Sequence, residues 1–281
     1  MPELPEVEVV RRGLADHVVG RTFGTVEVLH PRAARGNSVD LTQVLPGLSV
    51  TGTGRRGKFL WLELSDGAAL VVHLRMSGQM LVGQPGAVRS PHLRIRASIG
   101  DGELAFVDQR TFGSWQYAAL IDDPLMPTGR RIPATVTHVA PDPFEPAFDL
   151  VGTARLMRKR NSAVKTVLLD QSLVSGIGSI YADEAMWAAG VKPTRRARSL
   201  RQRDAVRLLE ESRAVMARAL EQGGTSFDSL YVNVNGASGY FSRSLNAYGR
   251  AGLPCARCGT PLRRVVVNGR SSHHCPECQV L

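Results

Sequence analysis

Lysine is nearly missing from this chain of 281 residues: Lys58, Lys159, Lys165 and Lys192 are the whole set, beside 31 arginines. Cysteine is absent before Cys255, which excludes a disulfide framework through most of the chain. No apolar run approaches the roughly 18 residues that a membrane-crossing helix needs. The N-terminus is acidic and turns helical at once, without the basic start and apolar core of a signal peptide. Internal repeats and low-complexity tracts are lacking too. A soluble, cytoplasmic protein is the expectation, and a 43% hydrophobic content over this length suits two domains with real cores.

Charge is present but uneven. Residues 1–150 carry 15 basic and 16 acidic side chains, whereas residues 151–281 carry 20 and 9, so all of the formal +10 lies in the second half. A field concentrated in this way suits a polyanion such as nucleic acid. The four cysteines, Cys255, Cys258, Cys275 and Cys278, form two C-x2-C pairs separated by sixteen residues. That spacing fits a tetrahedral zinc closed by four thiolates, one structural ion per chain with no open position for chemistry. His273 and His274 lie close enough to compete as ligands, but four sulfurs suffice.

The chain opens Met1-Pro2-Glu3-Leu4-Pro5-Glu6. Removal of Met1 leaves Pro2 as a secondary α-amine beside a carboxylate. An α-amine titrates near ~8, far below lysine, so much of it is neutral and nucleophilic near pH 7. Such an amine can form a Schiff base with a sugar or aldehyde carbon, with Glu3 moving the protons. The same residues also suit an ordinary helix start, where acidic side chains favour the dipole.

Apolar residues at Leu4, Val7, Val10, Leu14 and Val18 predict a helix from Pro5 to Val19, ended by Gly20. Short β segments follow at residues 22–29, 48–53, 59–65, 68–74, 92–99 and 103–108, a pattern of sandwich or barrel type. A proline-rich connector (Pro124, Pro127, Pro133, Pro141, Pro143, Pro146) marks a domain boundary. Helices are expected over 149–160, 162–169, 180–189 and 204–222, with Asp204 capping the last. Between the second and third, Gln171 to Ser179 holds Gly176 and Gly178. It reads either as a phosphate-binding helix start or as a tight turn. Residues 226–240, rich in Asn and Gly, read as a mobile loop.

In order, MPELPEVE, RRGKFLWLEL, HLRMSG, DQRTFG, LLDQSLVSGIGSIYADE and GYF…YGR, followed by the four cysteines, resemble the formamidopyrimidine-DNA glycosylases from residue 1 to about Gln279. The resemblance implies an α+β protein: a leading helix with a two-layered β-sandwich, a helical domain with a helix–two-turn–helix, and a β-hairpin zinc finger. It divides the chain into a catalytic domain (1–130), a linker (131–148), a DNA-binding helical domain (149–224), a lesion-capping region (225–250) and the finger (251–281). It implies base-excision repair of 8-oxoguanine and ring-opened purines in double-stranded DNA. Pro2 attacks C1′, Glu3 assists, and Lys58 and Arg270 hold phosphates near the lesion. Met76, Arg110 and Phe112 fill the gap left by the flipped nucleotide. His73, His92, Gly178, Ser179 and Tyr240 contact DNA; Glu6, Asn233, Asn235 and Gly239 face the lesion. The resemblance also implies a monomer, with no cofactor needed for the reaction itself.

Three departures stand out. Ser179 replaces the expected asparagine, Arg75 stands where glycine is expected, and His273-His274 replace an aromatic pair. Alternative readings are an endonuclease VIII-like enzyme for oxidised pyrimidines, a non-catalytic damage-binding paralogue, and a zinc-ribbon protein that binds nucleic acid by charge alone.

Overall fold

The structure, a computed structural model, describes residues 2–126, 129–224 and 244–281. Of the expected site, Asn233, Asn235, Gly239 and Tyr240 lie outside the described residues, as does most of the 225–250 region. The chain forms two compact units. One runs to His138 and takes in Gln222 to Gly224; the other runs from Val139 to Glu221 and takes in Ser244 to Leu281. Among the described residues no helix is long and apolar enough to cross a membrane.

In the first unit the apolar stripe forms α1 (Leu4–Val18), with Pro5 in its first turn and all five stripe residues buried. Then come β1 (Phe23–Val28), a short helix α2 (Leu41–Val44), β2 (Val50–Arg56), β3 (Phe59–Leu64) and β4 (Ala68–His73). They are followed by β5 (Gly78–Gly83), β6 (Leu93–Ile99), β7 (Gly102–Asp108), β8 (Ser114–Asp122) and β9 (Arg131–Pro133). The strands make two antiparallel sheets, one ordered β1-β6-β7-β5 and the other β2-β3-β4-β8-β9. Alternate residues pack inward: Leu60, Leu62 and Leu64, with Leu70 and Val72, share one core with Ile95, Ala97, Ile99, Leu104 and Phe106. Val7, Val10, Leu14 and Val18 of α1 join this core. Full burial of each Leu or Ile stabilises by about 1.5–3 kcal/mol, so the helix and both sheets stand or fall together.

Three strands were not legible in the sequence. β5 is framed by Gly78 and Gly83, and only Met80 among its side chains is fully buried, so its periodicity is thin. β8 lies beyond the last segment with a clear strand pattern. β9 sits inside the proline-rich stretch expected as connector, with Pro133 at the end of an edge strand, where a missing N–H costs the ladder nothing.

The second unit contains α3 (Leu150–Arg158), α4 (Val164–Leu168), α5 (Ser179–Ala189) and α6 (Gln202–Glu221). The hairpin β10 (Arg263–Val267) and β11 (Arg270–His274) completes it. Asp149 caps α3, accepting the Gly152 N–H at 2.9 Å, and Gly190 ends α5 in the left-handed region at φ 71°. The expected cap at Asp204 is corrected. α6 begins two residues earlier, so the Asp204 carboxylate sits within the first turn, where it favours the positive end of the dipole. α6 packs on α3 and α5, and α5 packs on β11.

The end of β2 is anchored by a buried ion pair, Arg56 with Asp123, both side chains fully inaccessible. Burial raises the Asp123 carboxyl, and the hydrogen bonds from Arg56 and the Leu125 N–H outweigh it and hold it below the usual range. Replacing Asp123 by alanine removes the carboxylate facing a buried guanidinium. The expected cost is about 3–5 kcal/mol, read as a lowered urea midpoint.

Candidate active site and four-cysteine cluster

Pro2 and Glu3 are buried, and they precede α1 directly. The Glu6 carboxylate turns back to accept the Glu3 N–H at 2.8 Å, the returning half of a capping box. Expected to face the lesion, Glu6 thus also holds the chain end in place.

Two contacts orient α1 on the sheet. Glu8 pairs with Arg55 of β2 at 3.0 Å, and Arg11 donates to the Thr53 hydroxyl at 2.8 Å. As the helix advances from 8 to 11, the strand recedes from 55 to 53. The start of α1 therefore lies at the same end as the β2–β3 turn, Gly57-Lys58. Gly57 has φ 55°, which the tight turn requires. Lys58 is buried.

Strand register carries the other site residues to that end. Leu60 pairs with Val72, and the Phe59 ring meets His73 edge-on at 4.3 Å. His73 pairs with Ser114, so the 109–113 loop emerges beside it. Burial pushes His73 down to about 3, helped by the positive charges of Arg75, Lys58 and Arg35. Its Nδ1 accepts the Arg75 N–H at 3.0 Å, which puts the proton of the neutral ring on Nε2. His73 is thus a neutral donor that a phosphate oxygen could accept from.

Met76 is 40% exposed on the loop after β4. Arg110 is exposed and holds its guanidinium 5.0 Å from the Phe112 ring centroid, with Arg32 at 5.7 Å. Arg35 donates to the Phe112 carbonyl. His92 leads into β6, and its carbonyl accepts the Asp108 N–H at 2.9 Å. The structure thus gathers Pro2, Glu3, Lys58, His73 and the loops carrying Met76 and Phe112 at one end of the sandwich. Cations and half-exposed apolar groups together suit a kinked polyanion.

The second unit places Gly178 as the N-cap of α5 and Ser179 as its first residue. The cap is a glycine without a side chain, because Gly178 takes the extended backbone before the helix. Gln171 braces this turn, donating to the Ile177 carbonyl at 3.0 Å and accepting the Gly176 N–H at 3.0 Å. Arg270 follows the turn Asn268-Gly269, whose φ angles of 48° and 74° suit a tight hairpin. It is exposed and borders a cavity of about 250 Å³ with Thr166, Asp170 and Asn268.

Residues that the sequence reading missed hold this hairpin. Lys165 of α4, wholly buried, donates to Asp183 Oδ1 of α5 at 2.7 Å and to the Ser271 carbonyl at 2.6 Å. Asp183 also accepts from the Ser272 hydroxyl at 2.6 Å and the His273 N–H at 2.8 Å. Glu184 accepts the N–H groups of Asn246, Ala247 and Tyr248 at 2.8–2.9 Å. The available signal was an acidic pair on an otherwise apolar helix, since buried charge requires partners.

The sulfurs of Cys255, Cys258, Cys275 and Cys278 all lie within 4.8 Å of one another. Cys258 and Cys275 are 3.5 Å apart, and Cys255 and Cys278 are 4.0 Å apart. A tetrahedral zinc with bonds of about 2.3 Å sets sulfurs about 3.8 Å apart, so the cluster fits that ion. His273 is not a competitor: its Nδ1 faces Asp183 Oδ2 at 3.1 Å.

Residues 1–115 match the family model of the formamidopyrimidine-DNA glycosylase N-terminal domain, and residues 139–230 match the H2TH domain of the same enzymes. Residues 252–280 match the zinc finger found in FPG and IleRS. The chain belongs to the formamidopyrimidine-DNA glycosylase family. It is 58% identical over 289 residues to the formamidopyrimidine-DNA glycosylase of Corynebacterium urealyticum, covering 99% of each chain. It is 55% identical to that of Mycolicibacterium smegmatis, covering 99% and 97%. Among solved structures it is similar to Lactococcus lactis Fpg in complex with DNA containing an abasic site (TM-score 0.86, 31% identity, 99% and 100% covered). It is also similar to MutM (Fpg) of Thermus thermophilus (TM-score 0.85, 37% identity, 99% and 98% covered). Membership makes the protein a base-excision repair glycosylase with lyase activity, α+β in fold and carrying a four-cysteine zinc finger.

Arg75, one of the departures, adopts φ 54°, a left-handed conformation that costs a bulky residue about 1–2 kcal/mol and glycine almost nothing. Arg75→Gly is expected to stabilise the folded protein by up to about 1 kcal/mol, measured by denaturant unfolding, while it removes one exposed cation beside Met76.

Proposed function

We propose that this glycosylase excises 8-oxoguanine and formamidopyrimidines from double-stranded DNA, working as a monomer in the bacterial cytoplasm, with Pro2 as the nucleophile. The observation that carries the mechanism is the held position of Pro2 and Glu3, at the same end of the sandwich as Lys58 and His73. Similar solved structures support the substrate class: one is a mutant Lactococcus lactis FPG in complex with Fapy-dG containing DNA (TM-score 0.88, 31% identity).

On this reading the unprotonated Pro2 nitrogen attacks C1′ of the flipped nucleotide. The glycosidic bond breaks, and the base leaves with its electron pair and takes up a proton. The attacking nitrogen loses its proton, the C1′–O4′ bond then opens, and Glu3 supplies the proton that O4′ takes up as the iminium forms. Because proline is a secondary amine, that iminium carries a permanent positive charge and acidifies the C2′ proton. Loss of this proton expels the 3′ phosphate, and a second elimination expels the 5′ phosphate. Lys58, His73 and Arg270 hold the flanking phosphates, with Gly178 and Ser179 binding backbone further along. Met76, Arg110 and Phe112 fill the vacated stack, with Arg110 hydrogen-bonded to the orphaned base. Glu6, Asn233, Asn235 and Gly239 face the lesion, and His92 and Tyr240 contact DNA. The four cysteines would hold one zinc ion, which supplies rigidity to the Arg270 hairpin.

Borohydride trapping on a duplex with 8-oxoguanine opposite cytosine is expected to yield an adduct that maps to Pro2. Protein retaining Met1 or an N-terminal tag should give no adduct and no strand cleavage; full cleavage by such protein would refute Pro2 as nucleophile. Faster excision of dihydrouracil than of 8-oxoguanine would move the enzyme to the oxidised-pyrimidine branch. Chelation of the zinc should weaken duplex binding at least about tenfold, because the hairpin loses the ion that closes it. Unchanged affinity in metal-free protein would count against that role.

A further inference from the structure

Asp108 ends β7 fully buried, with its backbone fixed from both sides. Its N–H donates to the His92 carbonyl at 2.9 Å, and its carbonyl accepts from Arg94 Nε at 2.9 Å. Its carboxylate reaches into both filler loops. Oδ1 accepts the Ser77 hydroxyl at 2.5 Å and the Arg110 N–H at 3.2 Å, and Oδ2 accepts the Gly113 N–H at 2.6 Å. The Arg110 N–H is shared, since Ser77 Oγ also accepts it at 3.1 Å. One hydroxyl thus bridges the loop carrying Met76 to the loop carrying Arg110 and Phe112.

The surroundings leave these loops little freedom. A Cβ on Gly78 would lie 2.6 Å from the Leu74 carbonyl oxygen, and one on Gly113 would lie 2.5 Å from the Phe106 ring. Each loop also holds a non-glycine residue in the left-handed region, Arg75 and Thr111, both at φ 54°. Strain of this kind persists only where the neighbouring structure over-determines it, and such sites cluster where geometry matters for function.

We propose that the Asp108–Ser77 pair is a positioning element that makes Met76 and Arg110 one wedge, and so sets how strongly the enzyme discriminates the base opposite the lesion. The inference rests on the reading of Met76 and Arg110 as gap fillers. Recognition of a base edge by an arginine depends on placement within about half an ångström, so a wedge free to shift loses selectivity before it loses binding.

The test compares excision of 8-oxoguanine opposite cytosine and opposite adenine by wild type, Ser77→Ala, Asp108→Asn and Arg110→Ala. Ser77→Ala is expected to lower the cytosine-to-adenine rate ratio about tenfold, the size of one base-edge hydrogen bond. Its lyase rate on a preformed abasic site should stay within about twofold of wild type. Asp108→Asn, which keeps the volume and one acceptor, should lower the ratio as well; if it does not fold, Ser77→Ala decides alone. Equal losses on both duplexes, with the ratio unchanged, would reduce the pair to a structural role and overturn the proposal. So would an unchanged ratio in Ser77→Ala when Arg110→Ala abolishes it. An unchanged ratio in Arg110→Ala would instead remove the assigned role of Arg110 itself, and the positioning proposal with it.

Discussion

The buried carboxylate of Glu8 is bonded to Arg11 and Arg12 on its own helix and to Arg55 on the facing strand. Burial alone would raise its pKa; the hydrogen bonds and charges of Arg11, Arg55 and Arg12 outweigh burial and hold it at about 2. It is therefore ionised throughout the physiological range, and its contribution to stability is lost only as pH falls from about 4.5 toward 2. This contact fastens α1 to β2. Chain ends ordinarily fray, and the nucleophile proposed at Pro2 could not tolerate that. With α1 pinned one turn downstream and Glu6 closing on Glu3, the terminal residues sit on a packed element.

The same device recurs away from the helix. Asp123 anchors the end of β2, next to the turn that presents Lys58. In the second unit Asp183 and Glu184, neighbours on α5, each gather backbone from a distant segment: the zinc-finger hairpin in one case, the chain entering the finger in the other. A carboxylate accepts several N–H bonds at once and is costly to leave unpaired in a dry interior. Each one therefore holds loops that have too little apolar surface to hold themselves. That explains how strained positions such as Arg75 and Thr111 survive in loops expected to enter a DNA helix.

Much of this was legible beforehand, for identifiable reasons. The α1 stripe repeats at helical spacing and the C-x2-C pairs are close in sequence, so both signals are local. The ordered motifs from MPELPEVE to the cysteines carried the family. β5 and β9 were not legible because glycine and proline mask a strand whose existence depends on its neighbour. Asp204 reads as a cap because aspartate commonly is one, but α6 begins two residues earlier and takes it into the first turn. Asp108, Lys165 and Asp183 gave no motif to notice, since their partners lie on other elements.

By itself the sequence determined the helix that follows the N-terminal proline, the metal-binding character of the finger, the basic second half and the family. These follow from residue type, spacing and order, which need no third dimension. Only the tertiary structure decided that Pro2, Lys58, His73 and two separate loops share one end of the sandwich, because strand register alone aligns them. It also decided that His73 is neutral with its proton on Nε2, and that the loops carrying Met76 and Arg110 are joined through the Ser77 hydroxyl and the Asp108 carboxylate. Such facts depend on burial and on bonds between residues far apart in the chain.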